Sequence, residues 1–239
     1  MIDAATGQLL RVLPGGNDPE QFALSTDGTR LFIANEDAGM TTVLDVTSGA
    51  IVKQIKVGGE PEGVDLSPDG KVVYVTSEED NQVYAIDTDR LEVIKPIDVG
   101  PRPRSTGVLP DNSRGYVSSE NGAALHIFDT RSFKVVHRLT FPSDALRPMG
   151  VIASADGTTV YVSTGRGGTV EAIDTKKNTV RASVRVGERP WGIALSADGK
   201  TIYTANGPSN DVSFVDTASM AVVATVKVGD RPWGVTVVP

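Results

Sequence analysis

Residues 61–76 read Pro61-Glu62-Gly63-Val64-Asp65-Leu66-Ser67-Pro68-Asp69-Gly70-Lys71-Val72-Val73-Tyr74-Val75-Thr76, and the rest of the chain repeats this stretch. The turn Ser67-Pro68-Asp69-Gly70 returns as Ser25-Thr26-Asp27-Gly28, Leu109-Pro110-Asp111-Asn112, Ser154-Ala155-Asp156-Gly157 and Ser196-Ala197-Asp198-Gly199. Its aspartates, Asp27, Asp69, Asp111, Asp156 and Asp198, are spaced by 42, 42, 45 and 42 residues. A second marker, an aspartate after an apolar residue, falls at Asp3, Asp45, Asp87, Asp129, Asp174 and Asp216, spaced by 42, 42, 42, 45 and 42. Two independent markers that keep one period establish an internal repeat.

Each period reads as four short strands. The second period gives Gly63–Leu66, Val72–Thr76, Gln82–Ile86 and Leu91–Ile94, rich in β-branched and aromatic residues and bounded by Gly, Pro, Asn or Asp. Aspartate suits these turns because it caps its own backbone, and glycine because it accepts positive φ. Phe32, Tyr74, Tyr116, Tyr161 and Tyr203 each follow a marker aspartate by five residues, a position from which one aromatic per repeat can pack between neighbouring sheets. Four strands in about 42 residues make a propeller blade, which limits exposed edges by radial arrangement. The expected fold is all-β: one β-propeller domain over 1–239, with five complete blades near 20–61, 62–103, 104–148, 149–190 and 191–232. The pieces 1–19 and 233–239 are left over, with a fourth-type strand at Leu9–Leu13 and a first-type strand at Gly234–Val238.

Val72-Val73-Tyr74-Val75-Thr76 with Ile86-Asp87-Thr88 resembles the YVTN repeat. Arg189-Pro190-Trp191-Gly192, Tyr203-Thr204-Ala205-Asn206-Gly207 and Arg231-Pro232-Trp233-Gly234 are similar to a narrower group, the periplasmic propellers associated with pyrroloquinoline-quinone-dependent alcohol catabolism. The resemblance implies a periplasmic or extracellular protein and a seven-bladed ring, of which this chain is a shortened version. Met1 leads directly into Ile2-Asp3, the middle of a repeat, so a leader and some leading repeats are expected to have been lost. Either a part-ring with unpaired edges or a reduced sixth blade made from the two ends follows, and unpaired edges favour self-association.

Composition narrows the chemistry. The net charge of −7 argues against non-specific nucleic-acid binding, which needs a basic surface. The chain has no cysteine, so disulfides, thiolate catalysis and cysteine-ligated metals are excluded. No apolar run is long enough to span a membrane. The only histidines, His126 and His137, lie in a third-type and a fourth-type strand, away from the channel, which argues against a histidine-rich metal centre. No serine elbow, phosphate loop or zinc-protease motif is present. The recurring Asp-Gly turns do not gather the six to eight oxygens that calcium takes.

The informative positions are the loops entering each innermost strand, with the pattern Pro-x-Gly. The x residues are Glu20, Glu62, Arg104, Met149, Trp191 and Trp233, with Gln21 and Ser105 replacing the glycine in two units. The residues before the proline are Asp18, Glu60, Arg102, Arg147, Arg189 and Arg231. The loop after each second strand brings Glu36, Glu78 and Glu120, then Gly165 and Gly207. A funnel acidic at one side and basic and aromatic at the other is expected. Arg102, Arg104, Arg147, Arg189, Trp191, Arg231 and Trp233 are its candidate site for a small planar anion, since arginine pairs with carboxylates and stacks on aromatic faces. Pyrroloquinoline quinone, planar and anionic, is the ligand that the resemblance implies. Equally, Arg and Trp here can simply cover the channel. The only length irregularity adds three residues at Phe141-Pro142-Ser143-Asp144-Ala145-Leu146, on the same face.

Two functions are open at this point. One is a non-enzymatic extracytoplasmic binding or interaction module, accessory to quinone-dependent alcohol oxidation, with a protein partner or a planar anion at the channel face. The other is a lactonase- or lyase-like enzyme using a metal and the channel-mouth carboxylates Glu20, Glu62, Glu36 and Glu78. A repeat array with no site left is a third outcome.

Overall fold

A computed structural model describes residues 1–238. Twenty strands form five four-stranded antiparallel sheets in sequence order. The first sheet is β1 (Pro19–Leu24), β2 (Arg30–Asn35), β3 (Met40–Asp45) and β4 (Ile51–Lys56). The second is β5 (Pro61–Leu66), β6 (Val72–Ser77), β7 (Gln82–Asp87) and β8 (Glu92–Asp98). The third is β9 (Pro103–Val108), β10 (Arg114–Ser119), β11 (Ala124–Asp129) and β12 (Lys134–Thr140). The fourth is β13 (Pro148–Ala153), β14 (Thr159–Thr164), β15 (Thr169–Asp174) and β16 (Thr179–Arg185). The fifth is β17 (Pro190–Leu195), β18 (Thr201–Asn206), β19 (Asp211–Asp216) and β20 (Ala221–Lys227). Each sheet is a blade, and the innermost strands β1, β5, β9, β13 and β17 contact one another in that order.

The repeat markers are turn-makers. Ser67 donates its hydroxyl to Asp69 at 2.7 Å, and the amide of Lys71 donates to the same carboxylate. Ser25–Asp27, Ser154–Asp156 and Ser196–Asp198 repeat the arrangement. These bonds favour the ionised acid; at Asp27 they hold the carboxyl down at about 2. The second marker closes the turn between third and fourth strands: Asp45, Asp129 and Asp216 each accept from the amide and hydroxyl of the serine three residues on. Both sets of aspartates are occupied in holding backbone.

The core lies between blades. Phe32 packs with Val73, Val75 and Ile86 of the second blade. Tyr74 meets Val108, Val117 and Phe128 of the third, with Tyr74 and Phe128 ring centroids 5.2 Å apart. Tyr116 and Tyr161 occupy the same place in the next two seams. Among the described residues no sixth sheet lies beyond Tyr203; it rests edge-on against Phe214 at 5.0 Å and stays partly exposed. Four of the five repeat aromatics therefore each fill one inter-blade seam.

The two ends differ from the strands expected of them. Around Leu9–Leu13 the only pairing is an isolated bridge between Ile2 and Leu9, and the segment docks on the first blade through Arg11, which donates to the carbonyls of Val46 and Thr47. Residues 234–238 form no strand. They nonetheless follow the path of an innermost strand beside β17, where Gly192 donates its amide to the carbonyl of Trp233 at 3.0 Å. An inner strand is held by its second strand, and among the described residues no second strand stands beside this one, nor does any strand pairing join the two ends. The arrangement agrees with a part-ring more than with a sixth blade assembled from both ends.

Candidate functional site

The mouth of the channel is built by one backbone device used six times. Asp18, Glu60, Arg102, Arg147, Arg189 and Arg231 all adopt positive φ, from 46° to 56°. Left-handed backbone costs a residue with a side chain about 1–2 kcal/mol. The bend is held because the carbonyl of this residue accepts from the loop after the second strand: Glu36 to Asp18, Glu78 to Glu60, Glu120 to Arg102, Gly165 to Arg147 and Gly207 to Arg189. The two loops expected to share a face are thus hydrogen-bonded to each other in every blade. The following proline starts the inner strand, and the x residue comes next.

The glycine after x is required by the neighbouring blade. A Cβ on Gly150 would stand 2.8 Å from the carbonyl oxygen of Trp191, and one on Gly192 would stand 2.7 Å from Cα of Gly234. Hydroxyls of the second strands complete the seam: Ser163 donates to the carbonyl of Trp191 at 2.9 Å, and Ser118 to that of Met149. Inner strands therefore approach backbone to backbone, and the x side chains are brought together around the channel.

There the charges sort into a paired set and an unpaired set. Arg104, 4% exposed, reaches from the third blade to Glu62 at 2.6 Å and to Glu78, and its Nε lies 3.8 Å from Glu120. Arg102 holds Glu78 at 2.6 Å and Glu120 at 3.4 Å. Desolvation raises Glu62 to about 7, against the pull of Arg104 and helped by the negative charges of Glu20 and Glu36. On the first blade Asp18, Glu20 and Glu36 bring carboxylate oxygens within 4.8 Å of one another. Among the described residues none of the three has a basic side chain within salt-bridge distance. Glu36 is pushed above the ordinary range by burial, then by Glu20, Asp18 and Glu60.

The aromatic side is a stack. Trp191 and Trp233, the chain's only two tryptophans, lie with ring centroids 3.7 Å apart and planes at 29°. The guanidinium carbons of Arg104 and Arg189 sit 4.9 and 5.0 Å from the Trp191 ring. Trp233 remains half exposed. Between the stack and the first blade opens a cleft of about 310 Å³, with Glu20, Phe22 and Glu62 on one side, Trp191 and Trp233 on the other, and Arg104 and Met149 in its wall.

Of the candidate residues, the structure places Arg104, Trp191 and Trp233 in this cleft. Arg189 stacks at its edge, and Arg102 is turned to the acids of the second and third blades. Arg147 bonds the side chain of Asn121, and the backbone amide of Arg231 donates to Asn210; neither arginine lines the cleft. The carboxylates grouped from sequence are divided: Glu62 and Glu78 belong to Arg104, while Glu20 and Glu36 join Asp18. Sequence reading missed Phe22, two residues after x in the first blade and 66% exposed at the cleft. The signal was its place: the other blades carry Val64, Thr106, Val151 and Ile193 there. His126 is buried in β11 with Nε2 unpartnered, and burial lowers it to about 4; His137 lies on β12. The Met149 side chain packs towards Gly165, whose Cβ would stand 3.0 Å from Met149 Cγ.

Residues 1–119 match the family model described as the cytochrome D1 heme domain, a span just short of half the chain. No curated protein sequence matches. Among solved structures the chain is similar to a hydrazine synthase of Kuenenia stuttgartiensis, with a TM-score of 0.68 and 20% identity over 96% of this chain and 91% of that one. The chain has the β-propeller fold. Among the described residues no helix is long and apolar enough to cross a membrane.

Proposed function

We propose that the protein is a non-enzymatic binding propeller whose central cleft takes a small organic ligand against the tryptophan stack. The observation that carries this is the pair Trp191–Trp233, stacked at 3.7 Å in the wall of the cleft with Trp233 half exposed. Indole faces are costly to leave in water and offer a stacking surface to a flat or cationic group. The cleft lining also holds the carboxyls of Glu20 and Glu62, of which Glu62 is bound by Arg104 at 2.6 Å. A site outside the cytoplasm, beside a quinone-dependent alcohol-oxidising system, is the setting that the repeat resemblance supports.

The group named by the family model does not fit this cleft. Haem iron takes an axial His, Cys, Met or Tyr. Both histidines stand on outer strands, the chain has no cysteine, no tyrosine lines the cleft, and Met149, the methionine in its wall, packs its thioether towards Gly165. Pyrroloquinoline quinone would find a stacking face, but its negative charge would meet Glu20 and Glu62, with Arg104 already committed to Glu62 and Glu78. A carboxylate metal site at Asp18, Glu20 and Glu36 is the second reading, favoured by their close oxygens. Because both tryptophans line the cleft, tryptophan fluorescence excited at wavelengths that tyrosine does not absorb reports on it. Titration with a panel of aromatic acids, aromatic amines and the quinone is expected to give saturable quenching with at least one class, lost in Trp233→Ala. Linear quenching of equal slope in both proteins for every class would overturn the proposal.

A further inference from the structure

We infer that the cleft recognises the positively charged head of an organic amine, a primary or methylated ammonium group held between the tryptophan face and Glu20. The inference rests on the cleft being a ligand site and deepens that reading by giving the ligand its charge. Three observations carry it.

First, the positive charge of the site is used up. The only cation in the cleft lining is Arg104, whose two Nη atoms are engaged by Glu62 and Glu78. The remaining arginines of the mouth, Arg102, Arg147, Arg189 and Arg231, stand outside the lining. An anion entering the cleft would face carboxylates, and the one guanidinium in the lining is already shared between two of them; Arg189, stacked on Trp191, stands at the edge outside the lining. Second, negative charge is in surplus on one wall. Glu20 lines the cleft beside the Arg104-bound Glu62, and among the described residues Glu20, Asp18 and Glu36 stand together with no basic side chain within salt-bridge distance. Like charges this close raise each other's energy, and a cation relieves it. Third, the opposite wall is aromatic and open. Trp233, on that wall, is 50% exposed, and Phe22, 66% exposed, adds a second aromatic face on the Glu20 side of the cleft. An ammonium within about 6 Å of an indole centroid is attracted by the ring's quadrupole, and aromatic walls closed by a carboxylate are the usual solution for methylated ammonium groups. A divalent metal would use the oxygens alone, would need several more of them, and would leave both aromatic faces without a role.

The test is calorimetric titration of the full chain with choline and with its neutral carbon isostere 3,3-dimethylbutan-1-ol. Benzene-1,3,5-tricarboxylate serves as the anionic probe and calcium as the metal. Choline is expected to saturate, the isostere to bind at least about tenfold more weakly, and Glu20→Gln to weaken choline by about tenfold. Glu79→Gln, an exposed acid outside the cleft lining, is expected to leave choline binding unchanged. Saturation by the tricarboxylate without choline binding would overturn the charge assignment and leave the cleft as a ligand site. Calcium binding without choline heat would overturn it in favour of a metal. Equal affinity for choline and its isostere would remove the role of charge. Heat from none of the probes, together with unsaturable quenching in the fluorescence panel, would take down both readings.

Discussion

The first blade and the seam between the second and third blades present glutamates to the channel at equivalent repeat positions, with opposite fates. Glu62 and Glu78 are buried and bound by Arg104, and Glu78 and Glu120 by Arg102. Glu20 and Glu36, one repeat earlier, have no such partner. The backbone that carries them is the same, down to the left-handed residue before the proline and the amide bond onto its carbonyl. What differs is whether the next blade supplies an arginine. Where the pairing occurs, the carboxylates are neutralised within the seam. Where it does not, negative charge is left facing the tryptophan stack across an open cleft.

The largest way to break the contrast is Arg104→Ala. Removing one side of a buried ion pair strands the other, so a loss of about 3–5 kcal/mol is expected in urea unfolding. A loss under about 1 kcal/mol would show the seam to be solvated. Next comes pH. With Glu62 raised from 4.5 to about 7, the folded chain keeps a proton there that the unfolded chain has released across that window. Stability from this group therefore falls as pH rises from about 5 to about 7. Asp65, raised to about 7 by desolvation, slopes the same way. Glu62→Gln and Asp65→Asn are each expected to flatten part of the profile, with the raised Glu36 sloping it the same way; an unchanged profile in Glu62→Gln would place its carboxyl in the ordinary range. Smaller again is Gly192→Ala, whose methyl must displace the backbone at Gly234 and Trp233. It should cost about 1–3 kcal/mol and disturb the near-ultraviolet signal of the stacked indoles. Gly234→Ala, with nothing within 4 Å, is the matched control. The smallest effect belongs to Glu20→Gln, which should change stability by no more than about 0.5 kcal/mol. A destabilisation like that of Arg104→Ala would make Glu20 structural and erase the contrast.

Most of the fold was legible because the repeat prints it in local chemistry. Asp69 and Asp87 are where they are because turns need them, so their period gave blade number and strand order before any packing was known. The ends were less legible: Leu9–Leu13 and Gly234–Val238 carry strand-like sequence, but a strand forms only beside a partner, and a pattern read along the chain does not reveal whether one stands there. The site was half legible. Repeat alignment collected Glu20, Glu62, Arg104, Trp191 and Trp233 on one face, because position within a blade fixes direction. It could not show that Arg104 reaches back to Glu62 and Glu78, since that depends on side-chain length across a seam. Of a funnel that reads as acidic at one side and basic and aromatic at the other, the cleft lining keeps the acids Glu20 and Glu62, both tryptophans and one arginine, Arg104.

The central claim is that this cleft receives a ligand through its aromatic wall and Glu20. Its most direct test is the indole N–H region of a nitrogen-15 spectrum, where the chain's two tryptophans give two signals, both from the cleft. On addition of choline, both signals should move saturably in the native chain and in Glu79→Gln, and move little in Glu20→Gln. Two signals that stay still while choline binds by calorimetry would put the ligand elsewhere and contradict the account.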